Sequence, residues 1–177
     1  MIKDNLKFFI LSILLIVTGF TYGQEKKLDA DFVVGASVPE LYHLGIRLHY
    51  MPNGRIDLNF GSDFNNDENG ILYSATINHA IYFGKVNPRT DTKLWSFNSG
   101  FSFLVEQTIL LKSTASYLNL FFARELRITK KLYIQPELGA SYFLFDHIVN
   151  QENEVVIKQR TRIIPKFGLN MIVKLGK

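Results

Sequence analysis

The sequence predicts an all-β fold, an eight-stranded antiparallel up-and-down transmembrane β-barrel preceded by a cleaved signal peptide, on three observations. After an apolar leader, the chain alternates apolar and polar residues with a period of two. In several segments the apolar face is unbroken for about ten residues, roughly what crosses a bilayer at a tilt near 45°. The opposite face carries Gly, Ser, Asn and charged residues.

The leader comes first. Lys3 and Lys7 supply a positive start, Phe8 to Phe20 an apolar run, and Thr21 and Gly23 the small residues before a cut ahead of Gln24. A membrane-spanning helix needs about 18 apolar residues, and this run is shorter and is followed by polar GQEKK. Residues 1–23 are therefore expected to be a signal peptide and 24–177 one barrel domain.

Composition agrees. Aromatic residues make up 14% of the chain, with 15 Phe and 8 Tyr, which suits pleated, half-buried surfaces. The absence of cysteine excludes disulfides, thiolate metal sites, a Cys nucleophile and an acylated N-terminal Cys. The net charge of +4 is spread along the chain without a basic run, so the sequence predicts no nucleic-acid partner.

The alternation places strands at approximately 31–38, 42–51, 55–64, 71–84, 94–105, 116–128, 132–146 and 161–175. In the last, Ile163, Pro165, Phe167, Leu169, Met171, Val173 and Leu175 share a face against Arg162, Lys166, Gly168, Asn170 and Lys174. In the second, Tyr42, Leu44, Ile46, Leu48 and Tyr50 oppose His43, Gly45, Arg47 and His49. An even strand count lets a meander close with both ends on one side. Links alternate too. Pro52-Asn53-Gly54 and Thr129-Lys130-Lys131 are short, whereas NNDENG, EQTILLKSTAS and HIVNQENEVVIKQR are long and polar. Short periplasmic turns and long outer loops give that pattern. The short link at Pro39-Glu40 and the long KVNPRTDTK depart from it. Val155, Val156 and Ile157 hint that the last outer hairpin continues beyond the membrane.

Eight strands leave an interior just wide enough for side chains, so the polar face is expected inside and the apolar face outside. A three-residue turn at 52–54, with Gly54 left-handed, sets Met51 opposite Arg55. His49 then faces Asp57 and His43 faces Asp63. The expected inward ion network is Arg47, His49, Asp57, Glu125, Arg127, Glu137, Arg162 and Lys166, paired because a lone buried charge is costly. Arg124 and His79 fall on the outward face, where Arg124 is close enough to a short turn to snorkel. Pro136 and Pro165 lie within strands, where each removes a ladder donor, and bulges are expected nearby.

With this pattern the chain resembles small outer-membrane barrels of the OmpX/OmpA-barrel type, the segment YLNLFFARELRITKKLYIQPELGASYFL looking like their strand–turn–strand unit. Lys166, Gly168, Met171 and Val173 match the final-strand signal that such proteins present to the barrel assembly machinery, although the chain ends Leu175-Gly176-Lys177 without the usual terminal aromatic. The resemblance implies insertion into the cell outer membrane of a Gram-negative envelope by that machinery. Its implied partners are outer-membrane lipids and, in transit, periplasmic chaperones. It says little about activity.

No catalytic motif, metal site or cofactor is expected. His43, His49, His79 and His147 lack metal-ligand spacing, and no Ser completes a nucleophilic set. DFNNDENG has Glu68 where a calcium loop needs Gly. The leading expectation is a non-enzymatic barrel with a filled interior, whose outer loops contact partners or lipopolysaccharide. The alternatives are an outer-membrane lipid-modifying enzyme and a secreted soluble barrel around a small apolar ligand.

Overall fold

A computed structural model describes residues 29–63, 71–87, 92–107, 111–150, 155–157 and 162–175; the leader and its cut site lie outside them. The strands are β1 (Asp29–Ser37), β2 (Leu41–Met51), β3 (Gly54–Ser62), β4 (Ile71–Asn87), β5 (Thr92–Gln107), β6 (Leu111–Arg124), β7 (Leu126–Arg127), β8 (Leu132–Asn150), β9 (Val155–Ile157) and β10 (Ile163–Lys174). Two of these are short. β7 continues β6 past an interruption at Glu125, and β9 pairs back on the end of β8. The other eight form the barrel. Each is antiparallel to its sequence neighbour, and β10 closes the ring on β1, with Asp31 opposite Lys174 and Ser37 opposite Gly168.

The eight strands fall where alternation predicts them, and several run longer. β4 and β5 pair as far as Asn87 and Thr92, so the segment expected as a long inner link shrinks to residues 88–91. β5 and β6 stay paired out to Gln107 and Lys112. The stretch Val155–Ile157 does continue the last hairpin, pairing with His147–Val149.

The pairing of β2 with β3 differs from the expectation. Pro52-Asn53 alone makes the turn, Met51 pairs with Gly54, and an irregularity between His49 and Met51 resets the ladder. Arg47 therefore faces Asp57, His49 faces Arg55, and His43 faces Gly61. The extra residue sits on β2 and not in the turn, which removes the need for a left-handed Gly54; positive φ occurs at Leu41 (64°) and Gly84 (89°) instead.

No bulge forms at the prolines. Pro136 pairs with Leu169 and Pro165 with Ala140 without a register shift. Each sits where one flank has no ladder partner. β6 is interrupted at Glu125 beside Pro136, and β1 has ended before it reaches Pro165. Besides the one between His49 and Met51, shifts lie at Phe83/Val86 and Ser116/Tyr117.

The barrel is polar inside and apolar outside. Among the described residues, the buried apolar side chains are Val33, Ala80, Tyr82, Leu104, Phe121, Ala123, Tyr133 and Ile172, while Arg47, Arg55, Lys166, Asp31 and Gln135 are as deeply buried. Phe60, Leu138 and Ile163 are 70%, 71% and 73% exposed. A soluble barrel would reverse this arrangement.

Small residues let the strands approach. Inward Asn59 lies across Gly45 of the neighbouring strand, and Asn78 lies across Gly100; a Cβ on either glycine would sit 1.9 or 1.8 Å from the Asn Oδ1.

Candidate functional site

The chemistry-bearing side chains converge inside the barrel in two clusters. The first is at the short-turn end. Glu125, placed where β6 breaks, turns its carboxylate into the lumen and accepts from Arg47 Nη1 (2.8 Å) and Arg55 Nη1 (2.7 Å). Arg47 Nε also donates to Asp57 Oδ1 (2.9 Å), and its Nη2 to Gln135 Oε1 (2.7 Å). The Tyr82 hydroxyl donates to Glu125 and accepts from Arg55, whose guanidinium also lies 4.9 Å from the Tyr82 ring centre. Asp31 accepts from His49 Nε2 (2.8 Å) and Lys174 Nζ (2.7 Å). The formal charges of Arg47, Arg55 and Lys174 offset those of Asp31, Asp57 and Glu125. That balance lets them be buried without an uncompensated ion.

The second cluster is nearer the long loops and is organised by a turn. The short link between β1 and β2 folds inward, so that Glu40 is only 2% exposed. Its carboxylate accepts from Ser37 Oγ (2.7 Å), Ser102 Oγ (2.9 Å), Asn119 Nδ2 (2.9 Å) and Lys166 Nζ. Its carbonyl accepts from Ser74 Oγ (2.7 Å). Between the clusters, His43 Nε2 donates to Asn170 Oδ1 (2.9 Å), and Asn170 Nδ2 to Glu137 Oε1 (2.6 Å).

Of the side chains expected in an inward network, Arg47, Asp57 and Glu125 are brought together directly. His49 reaches the same end through Asp31 and not through Asp57. His43 bonds Asn170 and not Asp63. Glu137 and Lys166 face the lumen higher up. Arg127 and Arg162 are exposed instead of inward, because each sits at a strand end where the wall has stopped. In the final-strand pattern, Lys166 and Gly168 point inward while Met171 and Val173 point outward.

Sequence reading missed Glu40, Asp31, Arg55, Tyr82 and Gln135 as network members. One signal was available. The cations expected inside (Arg47, Arg127, Arg162, Lys166) outnumber the carboxylates expected there (Asp57, Glu125, Glu137), which calls for further acids, and Glu40 and Asp31 are the ones that answer.

Two polar features face outward. Tyr50 Oη and His79 Nε2 are 2.6 Å apart, so each has its polar atom satisfied. Arg124 lies over the Trp95 ring at 5.1 Å, directly across from it in the ladder. A cavity of about 250 Å³ opens at the short-turn mouth, lined by His49, Asn53, Tyr82, Lys93, Glu125 and Lys174. Among the described residues, no three His, Asp or Glu side chains are grouped to hold a metal ion.

No family model and no curated protein matches the chain. Among solved structures it is similar to the N-terminal β-barrel domain of Pseudomonas aeruginosa OprF, at 8% identity and a TM-score of 0.49, over 82% of this chain and 96% of that one. A likeness of that size carries neither fold nor function across. The closed eight-stranded barrel stands on this chain's own strand pairings.

Proposed function

We propose that the chain is an integral outer-membrane β-barrel with a structural or surface-interaction role, its lumen closed by its own side chains and its outer hairpins free to meet partners or lipopolysaccharide. The observation that carries this is the polarity of the wall. Large apolar side chains such as Phe60, Ile77, Leu120 and Phe167 cover the outside, while charges and amides fill the inside. Such a surface is stable where the solvent is hydrocarbon, and a closed barrel leaves no strand edge unsatisfied there.

In this reading residues 1–23 direct export and are removed. Periplasmic chaperones carry the chain, and the assembly machinery recognises Lys166, Gly168, Met171 and Val173 in the last strand. The short turns face the periplasm. The extended β5, β6, β8 and β9 project outward, which favours contact with the exterior over catalysis.

Gel mobility of the mature protein in the outer-membrane fraction, boiled and unboiled, tests the reading. The expected outcome is a mobility shift on boiling. A soluble protein with no shift would sink the proposal and favour a secreted ligand-binding barrel.

A further inference from the structure

We infer that His43, Asn170 and Glu137 bind one proton between them inside the barrel, and that this proton latches the link between β1 and β2 to the wall. The hydrogen bonds carry the inference. His43 is 4% exposed, and both of its ring nitrogens lie against acceptors. Nδ1 is 3.1 Å from the carbonyl oxygen of Leu41, which has no proton to give. Nε2 is 2.9 Å from Asn170 Oδ1, and Asn170 Nδ2 is 2.6 Å from Glu137 Oε1. A neutral imidazole has one N–H and cannot donate on both sides. With Asn170 donating to an ionised Glu137, His43 is therefore an imidazolium. Turning the Asn170 amide over exchanges its oxygen and nitrogen. Nδ2 then donates to His43, and Oδ1 accepts a proton carried by Glu137. Both arrangements hold the same single proton, one more than a neutral imidazole beside a carboxylate.

The surroundings fit this role. Gly35 of β1 pairs with His43 on one side and Asn170 on the other. A Cβ there would sit 2.0 Å from Asn170 Oδ1 and 2.9 Å from His43 Nε2, so the bridge crosses β1 where no side chain is in the way. On its other side His43 pairs with Gly61. The charged groups facing Glu137 are Lys166, Glu40, Asp57 and Arg55. Lys166 is paired with Glu40, and Arg55 with Asp57. A positive His43 offsets Glu137, and a protonated Glu137 needs no offset, so the shared proton keeps this level of the lumen neutral. The far end of the trio is the link. Leu41 has φ 64°, a left-handed backbone that a non-glycine residue adopts at a cost, and it follows Glu40 directly. When the proton leaves to solvent, one acceptor is left facing another, and the chain of bonds from Leu41 to Glu137 breaks.

Two measurements on the folded mature protein test this. Nitrogen NMR of the His43 ring and infrared spectroscopy of the Glu137 carboxyl, both at neutral pH, count the proton. The expected result is two N–H groups on His43, or a carboxylic-acid band that disappears in Glu137→Gln. A singly protonated His43 together with an ionised Glu137 would overturn the inference. The NMR reading uses the unaltered protein, so it stands even if a variant folds poorly. The latch is read separately. The chain has no cysteine, so Val38→Cys gives a single point for a spin label on the link. Mobility of that label should rise as alkali removes the proton. With Glu137→Gln added, the new amide donates to Asn170 without any extra proton, so the label should stay restrained and its response from neutral to alkaline pH should vanish. A label that stays equally restrained while the proton is lost, or an undiminished response in Glu137→Gln, would overturn the latch.

Discussion

Glu40 and Lys166 are 126 residues apart in sequence and form an ion pair inside the barrel, with 3% and 1% of their side chains exposed. One comes from a turn and the other from the last strand, so the pair ties the link between β1 and β2 to the closing edge of the wall. Removing one partner strands the other charge in the interior. Lys166→Met is expected to destabilise the folded barrel by about 3–5 kcal/mol. Adding Glu40→Gln to it should recover most of that loss, because the uncompensated charge is gone. Urea unfolding of the protein in vesicles, read as a double-mutant cycle, checks both expectations. If the double variant were no better than Lys166→Met, the loss would not come from charge pairing.

The close approach of Asn78 to Gly100 leaves no room for a methyl group. A Cβ at Gly100 would also lie 2.6 Å from the backbone carbonyl of Ile77, which cannot rotate away. Gly100→Ala should therefore cost about 1–3 kcal/mol through overpacking, and more if the strand pairing shifts. The same unfolding assay measures it. A neutral result would mean that the wall relaxes locally at no cost.

Leu120 is 46% exposed and lies within the apolar belt. In water, exchanging it for arginine would be close to neutral. In a bilayer, Leu120→Arg should cost about 2–4 kcal/mol if the position is near the midplane. Comparing unfolding of this variant in vesicles with Arg124→Ala, which sits near a turn, gives a depth scale along a single strand. Similar small effects at both positions would count against the bilayer assignment.

The filled lumen predicts poor solute passage. Arg47, Arg55, Glu125 and Gln135 are hydrogen-bonded across the short-turn end, and Glu40 is held by four side chains higher up, so bonded side chains cross the described lumen at two levels. Vesicles carrying the protein should not swell in isotonic monosaccharide. Swelling at the rate of a general porin would show that the interior opens in the membrane.

Most of the wall was legible in the sequence because side-chain direction alternates with a period of two. The faces of Ile163 to Leu175, and the outward position of Arg124 and His79, follow from that parity alone. The pairing of individual side chains does not. Sliding β2 by two residues against β3 leaves every face unchanged, so Asp57 opposite His49 and Asp57 opposite Arg47 satisfy the alternation equally well. The irregularity near Tyr50, invisible to periodicity, selects the second. Glu40 was hidden for another reason. Alternation describes strands, whereas Glu40 is in a link whose inward fold is set by Ser37, Ser102, Asn119 and Lys166, on four different strands.

The pair of Asp31 and Lys174 spans the line where the first and last strands meet. Its carboxylate also holds His49 of the second strand, and 4.0 Å from the same ammonium lies Glu125. The short-turn cluster thus reports on whether the ring is shut. An open sheet would leave Asp31 and Lys174 apart, each costly in a medium without water. Closure and charge satisfaction become a single event, which disfavours half-zipped barrels and opposes the edge-to-edge pairing with a second chain that an unclosed seam would invite.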